Sequence, residues 1–333
     1  MPDTGPICEA CIWHHDPEGL ARTAPCDPQS WAGSVQQELL THGIGADLAA
    51  PPGPFPAYPR CAVVTMVKDE ADIIHAALSW LYHIGARRFL LMDNMSSDGT
   101  WQQLMRFQTD RPDVELLVIR DPVVAYYQSE KMSALAQLAK AHWPDIGWVL
   151  PVDADEFCVA RRGLQALDEV PAHVEALTVP KVIHFLRAGT PEAAPGPADF
   201  ARMSVRSSLF CVPPKVIARA DPSLRISQGN HKIFAEHDRQ IVYAGAFRYG
   251  FFHREFQTRS FAHFVRKVRN GGAAILAAQA DGRNVGGEHW LAWHKTLTEQ
   301  GEEGLRAVFA TQCFRTPGGG YLDDVFVPNQ VKA

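Results

Sequence analysis

Between residues 60 and 160 one pattern repeats: a short apolar run stops abruptly at a polar, acid-rich turn, and a stretch with helical spacing follows. Arg60-Cys61-Ala62-Val63-Val64-Thr65-Met66-Val67 ends at Lys68-Asp69-Glu70. Ile73, Ile74, Ala77, Leu78, Leu81 and Tyr82 then recur at helical intervals, and Gly85 closes that helix. Arg88-Phe89-Leu90-Leu91-Met92 reads as a second strand. It ends at Asp93-Asn94-Met95-Ser96-Ser97-Asp98-Gly99-Thr100, a loop of turn formers and N-cap residues ahead of a helix around Trp101 to Phe107. Val114 to Ile119 supplies a third strand, Gln128 to His142 an amphipathic segment, and Trp148-Val149-Leu150-Pro151-Val152 a fourth strand. Continuous apolar runs belong to strands covered on both faces. Strands alternating with helices predict an α/β fold, a Rossmann-like doubly wound, mostly parallel sheet with right-handed crossovers and helices on both faces.

Such sheets bind ligands outside the carboxyl ends of their strands. Lys68, Glu70, Asp93, Asn94, Asp98, Asp153 and Asp155 all fall at those ends, so the order of elements predicts one polar rim. In Asp153-Ala154-Asp155-Glu156, the two-residue period of a strand puts Asp153 and Asp155 on one side and Glu156 on the other. Two like charges side by side call for a cation. A row of acids is a poor cradle for a bare phosphate, but it suits hydroxyls and amides together with a divalent metal that neutralises a diphosphate. The plainer readings are a solvated strand end or acidic first helical turn for Asp153 to Glu156, a simple turn for Asp98, and a surface charge for Lys68.

Three blocks carry a resemblance. Val63 to Glu70, Met92 to Thr100 and Trp148 to Phe157 resemble, in order, the signature blocks of family 2-like glycosyltransferases, in the bacterial branch whose metal motif reads D-x-D-E-F. The resemblance implies a GT-A fold, a nucleotide-diphosphate sugar donor, and Mn²⁺ or Mg²⁺. It implies that Asp93 holds the donor's nucleoside, that Glu70 stands beside the nucleotide, and that Asp153 and Asp155 meet the metal and diphosphate. It also implies a carboxylate base just before a helix in the second half, matched by Glu255, and a histidine for the metal or catalytic site, matched by His231 or His253. A haloacid-type phosphatase also places D-x-D after a strand, but it needs a small β-branched residue where this chain has Phe157.

Past Phe157 the pattern is weaker. Residues 174 to 186 read as strand-rich, Thr190 to Asp199 as a surface excursion bordering the acceptor site, and Lys215 to Ala218 as a further strand. Phe261, Phe264, Val265 and Val268 share a helical face. The charges around them, Arg259, Arg266, Lys267 and Arg269, are either solvated or meet donor phosphates or an anionic acceptor. Trp290, Trp293 and Phe309 read as helical packing, and Gly318-Gly319-Gly320 as part of a loose tail.

The expected organisation is an arm and linker over 1 to 59, a catalytic domain over 60 to 310 with nucleotide-sugar (60 to 160) and acceptor (161 to 310) halves, and a tail over 311 to 333. The arm holds Cys8, Cys11, His14 and Cys26, ligand types suited to a structural Zn²⁺, with free thiols on a loosely ordered arm as the alternative. Pro51-Pro52-Gly53-Pro54-Phe55-Pro56 continues neither helix nor strand. A net charge of −5 gives no general footprint for nucleic acid. No apolar run approaches ~18 residues, the length of a membrane span, and the N-terminus lacks the signal-peptide pattern. The expectation is a cytoplasmic protein with peripheral contact at the inner membrane face allowed. The function so read is metal-dependent, inverting transfer of a sugar to a glycan, polysaccharide or lipid-linked acceptor. A degenerate GT-A domain that binds a glycan or nucleotide without turnover is the competing reading.

Overall fold

The structure, a computed structural model, describes residues 48, 53–192, 196–235, 237, 239–283, 285–326 and 328. The cysteine and histidine group of the arm lies outside the described residues. Within them, β1 (Cys61–Val67), α1 (Ile74–His83), β2 (Arg88–Asp93), α2 (Thr100–Asp110), β3 (Glu115–Arg120), α3 (Gln128–His142) and β4 (Trp148–Pro151) follow in the predicted alternation. The strands lie in the order β4-β1-β2-β3, all parallel. Alternate residues of β1 enter different cores: Cys61, Val63 and Val67 pack on the side of α1 and α2, Ala62 and Val64 on the side of α3. A strand that must satisfy both sides has no polar face, hence the continuous apolar runs.

The second half is mixed in direction. It contains β5 (Glu156–Ala160), β6 (Ala176–Arg187), β7 (Val205–Ser207), β8 (Cys211–Arg219), β9 (Leu224–Ile226), β10 (Ile233–Ala235), β11 (Tyr243–Gly245) and β12 (Phe251–Glu255). Strand β8 runs antiparallel to both β4 and β6, while β12 is parallel to β6 and antiparallel to β5. Helices α4 (Phe261–Ala280) and α5 (Glu288–Cys313, broken at Gly301) pack on the α1 side through Phe261, Phe264 and Phe309.

After α5 the chain rejoins the sheet. Strand β13 (Phe314–Arg315) pairs with β6, β14 (Tyr321–Asp323) pairs with β7, and Phe326 stacks among Trp80, Phe157 and Phe256. The buried Arg254 joins distant parts of the chain. Its guanidinium donates to the Leu48 carbonyl and to His184 Nε2 (2.8 Å) and pairs with Asp324 at 3.1 Å.

Candidate active site

At the end of β1 the chain turns through Asp69, a non-glycine residue at φ +53°. The β2–α2 loop holds this turn in place. Ser96 Oγ accepts the Asp69 N–H (2.9 Å), Thr100 Oγ1 the Glu70 N–H (2.8 Å) and Asp98 Oδ2 the Ala71 N–H (3.1 Å). Asp98 also takes the Thr100 hydroxyl at 2.6 Å, so it serves the junction of the two loops. Asp93 is fully buried behind them, where Oδ1 accepts the Ser96 N–H at 2.9 Å and Oδ2 lies 3.3 Å from Arg120. The Asn94 amide is tied to Asp121 and the Val123 carbonyl. Lys68 donates to the carbonyls of Asn94 (2.9 Å) and Met95 (2.7 Å).

Next to this turn, beyond β4, stand Asp153 and Asp155. Asp153 Oδ1 accepts the side-chain amides of Gln128 (3.1 Å) and Asn230 (3.0 Å), and its Oδ2 lies 2.7 Å from Lys215 Nζ. Burial, with Glu156 and Asp155 nearby, pushes the Asp153 carboxyl up to about 6 against the pull of Lys215. Residues 152 to 155 form a turn between β4 and β5, so the two-residue period does not hold there, and Glu156 shares Lys215 with Asp153. It is fully buried, accepts the Asp153 N–H at 3.1 Å, and lies 2.7 Å from Lys215 and 3.4 Å from His253 Nδ1. Burial works against its charge, but Lys215 and His253 hold its carboxyl well below the usual range. Asp155 pairs through Oδ2 with Lys267 of α4.

Opposite, α4 presents His263, Arg266, Lys267 and Asn270, at the i, i+3, i+4, i+7 spacing of one helical face. Just ahead of it, Arg259 meets Asp72 with two bonds (2.7 and 2.8 Å) and Glu70 with a third, and donates to His263 Nε2 at 2.8 Å. Burial raises the Glu70 carboxyl, but Arg259 and Lys267 outweigh it and leave the group well below its ordinary value. Asn270 closes the contact by donating to Asp69 Oδ2 at 2.7 Å.

Between the strand rim and α4 lies a cleft of about 750 Å³. Lys68, Glu70, Asn94, Asp153, Asp155, His231 and Glu255 all line it; Asp93, Asp98 and His253 do not. His231 donates from Nδ1 to the Pro214 carbonyl at 2.8 Å, which leaves Nε2 as the nitrogen bearing the lone pair. Glu255 ends β12, where its Oε2 lies 2.8 Å from Lys181 and its Oε1 accepts the Gln257 amide at 2.6 Å. Burial raises its carboxyl, and the Lys181 charge brings it below the ordinary value. His253 is fully buried beneath Glu156.

Sequence reasoning missed Lys215, Lys181, Gln128, Asn230 and His263 as members of this network. A lysine inside an apolar strand, as in Pro214-Lys215-Val216-Ile217, is the signal that would have found the first two. Among the described residues, the set of three ligand-type side chains whose atoms lie within 4.8 Å of one another is Glu70, Asp72 and His263. Arg259 already occupies that set.

No protein-family model matches the sequence, and no curated protein is significantly similar to it. Solved structures overlap it in part. A mannosyltransferase, PcManGT from Pyrobaculum calidifontis in complex with GDP-Man and Mn²⁺, is 21% identical over 40% of this chain and 38% of its own, with a TM-score of 0.29. The apo structure of WbbM, a bifunctional glycosyltransferase, is 17% identical over 38% of this chain and 23% of its own, with a TM-score of 0.27. The chain thus spans well under half the length of each.

Proposed function

We propose that this chain is a glycosyltransferase that moves a sugar, with inversion, from a nucleotide-diphosphate donor to a hydroxyl acceptor with the help of Mn²⁺ or Mg²⁺. The observation that carries the reading is the meeting of Asp153 and Asp155 with Lys215 and Lys267 on the floor of a cleft at the carboxyl ends of parallel strands. Hard carboxylate oxygens suit a hard divalent ion, and both carboxylates already attract ammonium groups, so the donor set fits a cation. Asp155 and Asp153 would hold the ion, with His231 also on the cleft wall. The chemistry supplied there would be Lewis-acid compensation of the charge that gathers on the diphosphate as the glycosidic bond breaks.

The chain's own groups supply the rest. Lys267, freed from Asp155, and Lys68, which donates only to carbonyls, bring positive charge to the phosphates. Asp93 and Asn94 hold the loop that frames the nucleoside, Asp98 fixes it to the β1 turn, and Glu70, locked by Arg259, sets the cleft's inner edge. Glu255, ionised and at the cleft, takes the acceptor proton, while His253 supports Glu156 from below.

Titration calorimetry with UDP, GDP and ADP, each with and without Mn²⁺, tests the reading, followed by donor turnover with the matching nucleotide sugars. Mn²⁺-dependent binding that is lost in Asp155→Asn is the expected result. If no nucleotide binds in either condition and no nucleotide sugar is consumed, the proposal is wrong. Binding without turnover would support the degenerate-domain reading instead.

A further inference from the structure

One edge of the cleft differs in character from the charged floor. It is formed by His289 and Trp290 at the start of α5, which stand apart from the ion-pair network. Both are half-buried. The Trp290 ring meets Trp293 edge-on at 5.2 Å, and Trp293 rests on Phe264 at 5.4 Å. The His289 ring lies 5.0 Å from Trp290 and 5.1 Å from Trp293. The indole is therefore braced from behind by an aromatic cluster rooted in the core, while it borders the cleft.

A glycine makes room for it. A Cβ at Gly271, in the middle of α4, would come within 3.3 Å of the Trp290 ring. At Gly287, where φ is +86°, a Cβ would come within 3.5 Å of that ring and 2.7 Å of Ile275 Cδ1. Glycine is a poor choice inside a helix; at Gly271 it lets the indole lie close against the α4 backbone.

We propose that Trp290 and His289 form the acceptor seat, which receives an uncharged pyranose with its C–H face on the indole and a hydroxyl at the imidazole. This inference rests on the transferase reading above and names the acceptor class for it. A braced aromatic face beside a polar group, within a cleft, suits a ligand with one apolar face and polar edges. Burial lowers the His289 imidazole to about 4, so at neutral pH it offers one donor and one acceptor and no charge. Most lining cations elsewhere are matched: Lys267 with Asp155, Lys215 with Asp153, Arg266 with Asp98 and Lys131 with Asp121; Lys68, bonded to carbonyls, stands at the β1 turn. An anionic acceptor would find little spare charge at this edge.

The test uses the full chain labelled with 5-fluorotryptophan, the Trp290 fluorine line being assigned from Trp290→Phe. Methyl α- and β-pyranosides of glucose, galactose and mannose are titrated to about 50 mM, since a single stacked ring is a millimolar ligand. UDP, GDP and ADP with Mn²⁺ are titrated separately. At least one pyranoside should shift the Trp290 line saturably. Trp290→Ala should weaken that sugar's binding, read by saturation-transfer NMR, at least about fivefold, with His289→Gln weaker by about twofold. Nucleotide affinity should stay within twofold in both variants, which also reports an intact fold.

Silence of the line to every pyranoside would overturn the proposal. So would a line shifted by nucleotides alone, which would assign the indole to the nucleobase. A saturable pyranoside shift in a protein that binds no nucleotide would keep the sugar seat and remove the transferase reading, so the two failures are distinct.

Discussion

Lys215 reaches Asp153 from the antiparallel half of the sheet, placing its ammonium nitrogen 2.7 Å from Asp153 Oδ2 and an equal distance from the buried Glu156. It donates also to the Gly229 carbonyl at 2.8 Å, so three oxygens crowd around the ammonium nitrogen. Burial alone would lower the Lys215 ammonium, yet Asp153 and Glu156 hold it well above its ordinary value.

Removing that cation leaves buried carboxylates facing each other. Lys215→Met should cost about 3–5 kcal/mol of stability, the scale for breaking one partner of a buried pair. Urea unfolding measures it. The double variant Lys215→Met, Glu156→Gln should recover part of the loss, because one uncompensated charge is gone. A single-variant loss under about 1 kcal/mol would place the pair among solvent-screened ones.

Glu70 and Asp72 make folding sensitive to acid. Both carboxyls are held below their ordinary values in the folded chain, burial opposing and Arg259 prevailing. An unfolded glutamate titrates near 4.3, so the folded state binds fewer protons than the unfolded one below that pH. Their contribution is complete above about pH 4.3 and is lost as pH falls toward the folded value. Glu70→Gln should therefore flatten the fall in urea midpoint between about pH 5 and pH 3. Superimposable slopes for the two proteins would contradict this.

The α4–α5 contact gives a steric prediction of definite sign. A Cβ at Gly272 would lie 2.3 Å from Cγ and 2.4 Å from Cβ of His294, atoms too near the α5 backbone to swing away. Gly→Ala inside a helix ordinarily gains about 1 kcal/mol, whereas forcing packed elements apart costs about 1–3 kcal/mol. The clash wins, and Gly272→Ala should lower the melting temperature by roughly 2–6 °C. A raised melting temperature would mean that the helices separate freely.

Catalysis should depend on Asp155 more than on any group of the β2–α2 loop. Asp155→Asn is expected to reduce sugar transfer at saturating donor by about 100-fold or more, the scale of losing one contact to developing charge. Asp98→Asn, which disturbs a loop junction, should act mainly through stability. Initial rates of nucleotide release measure both. A rate within about threefold of the parent for Asp155→Asn would exclude its charge from the reaction.

The first half was legible because each element has a single period. Val63 and Val64 serve opposite cores, so β1 shows an unbroken apolar run, and Gly85, at φ +114°, marks the end of α1's turn. Counting misplaced Asp153, Asp155 and Glu156, because residues 152 to 155 form a turn rather than a strand: Asp153 shares Lys215 with Glu156, while Asp155 meets Lys267. The second half resisted for a physical reason. Lys181, Lys215, Arg254 and Glu255 sit inside buried strands, and each is compensated by a residue far away in sequence: Lys181 by Glu255, Lys215 by Asp153, Arg254 by Asp324. A pattern read locally cannot pair such charges, and so it mistakes them for strand ends. The Trp290 ring was read as packing; it is packing on one side and cleft on the other.

Arg254 sets an order of events for a chain made from its N-terminus. Strands β1, β2 and β3 pair only with one another and with β4, all of them made by residue 151. The middle of β12 is different, for the Arg254 guanidinium gains its contacts only when the Leu48 carbonyl, emerged long before, and Asp324, not yet made, arrive at the same point. On the ribosome the parallel half can therefore settle early, while the centre of the sheet waits with an unpaired cation until residue 324 is free to reach it.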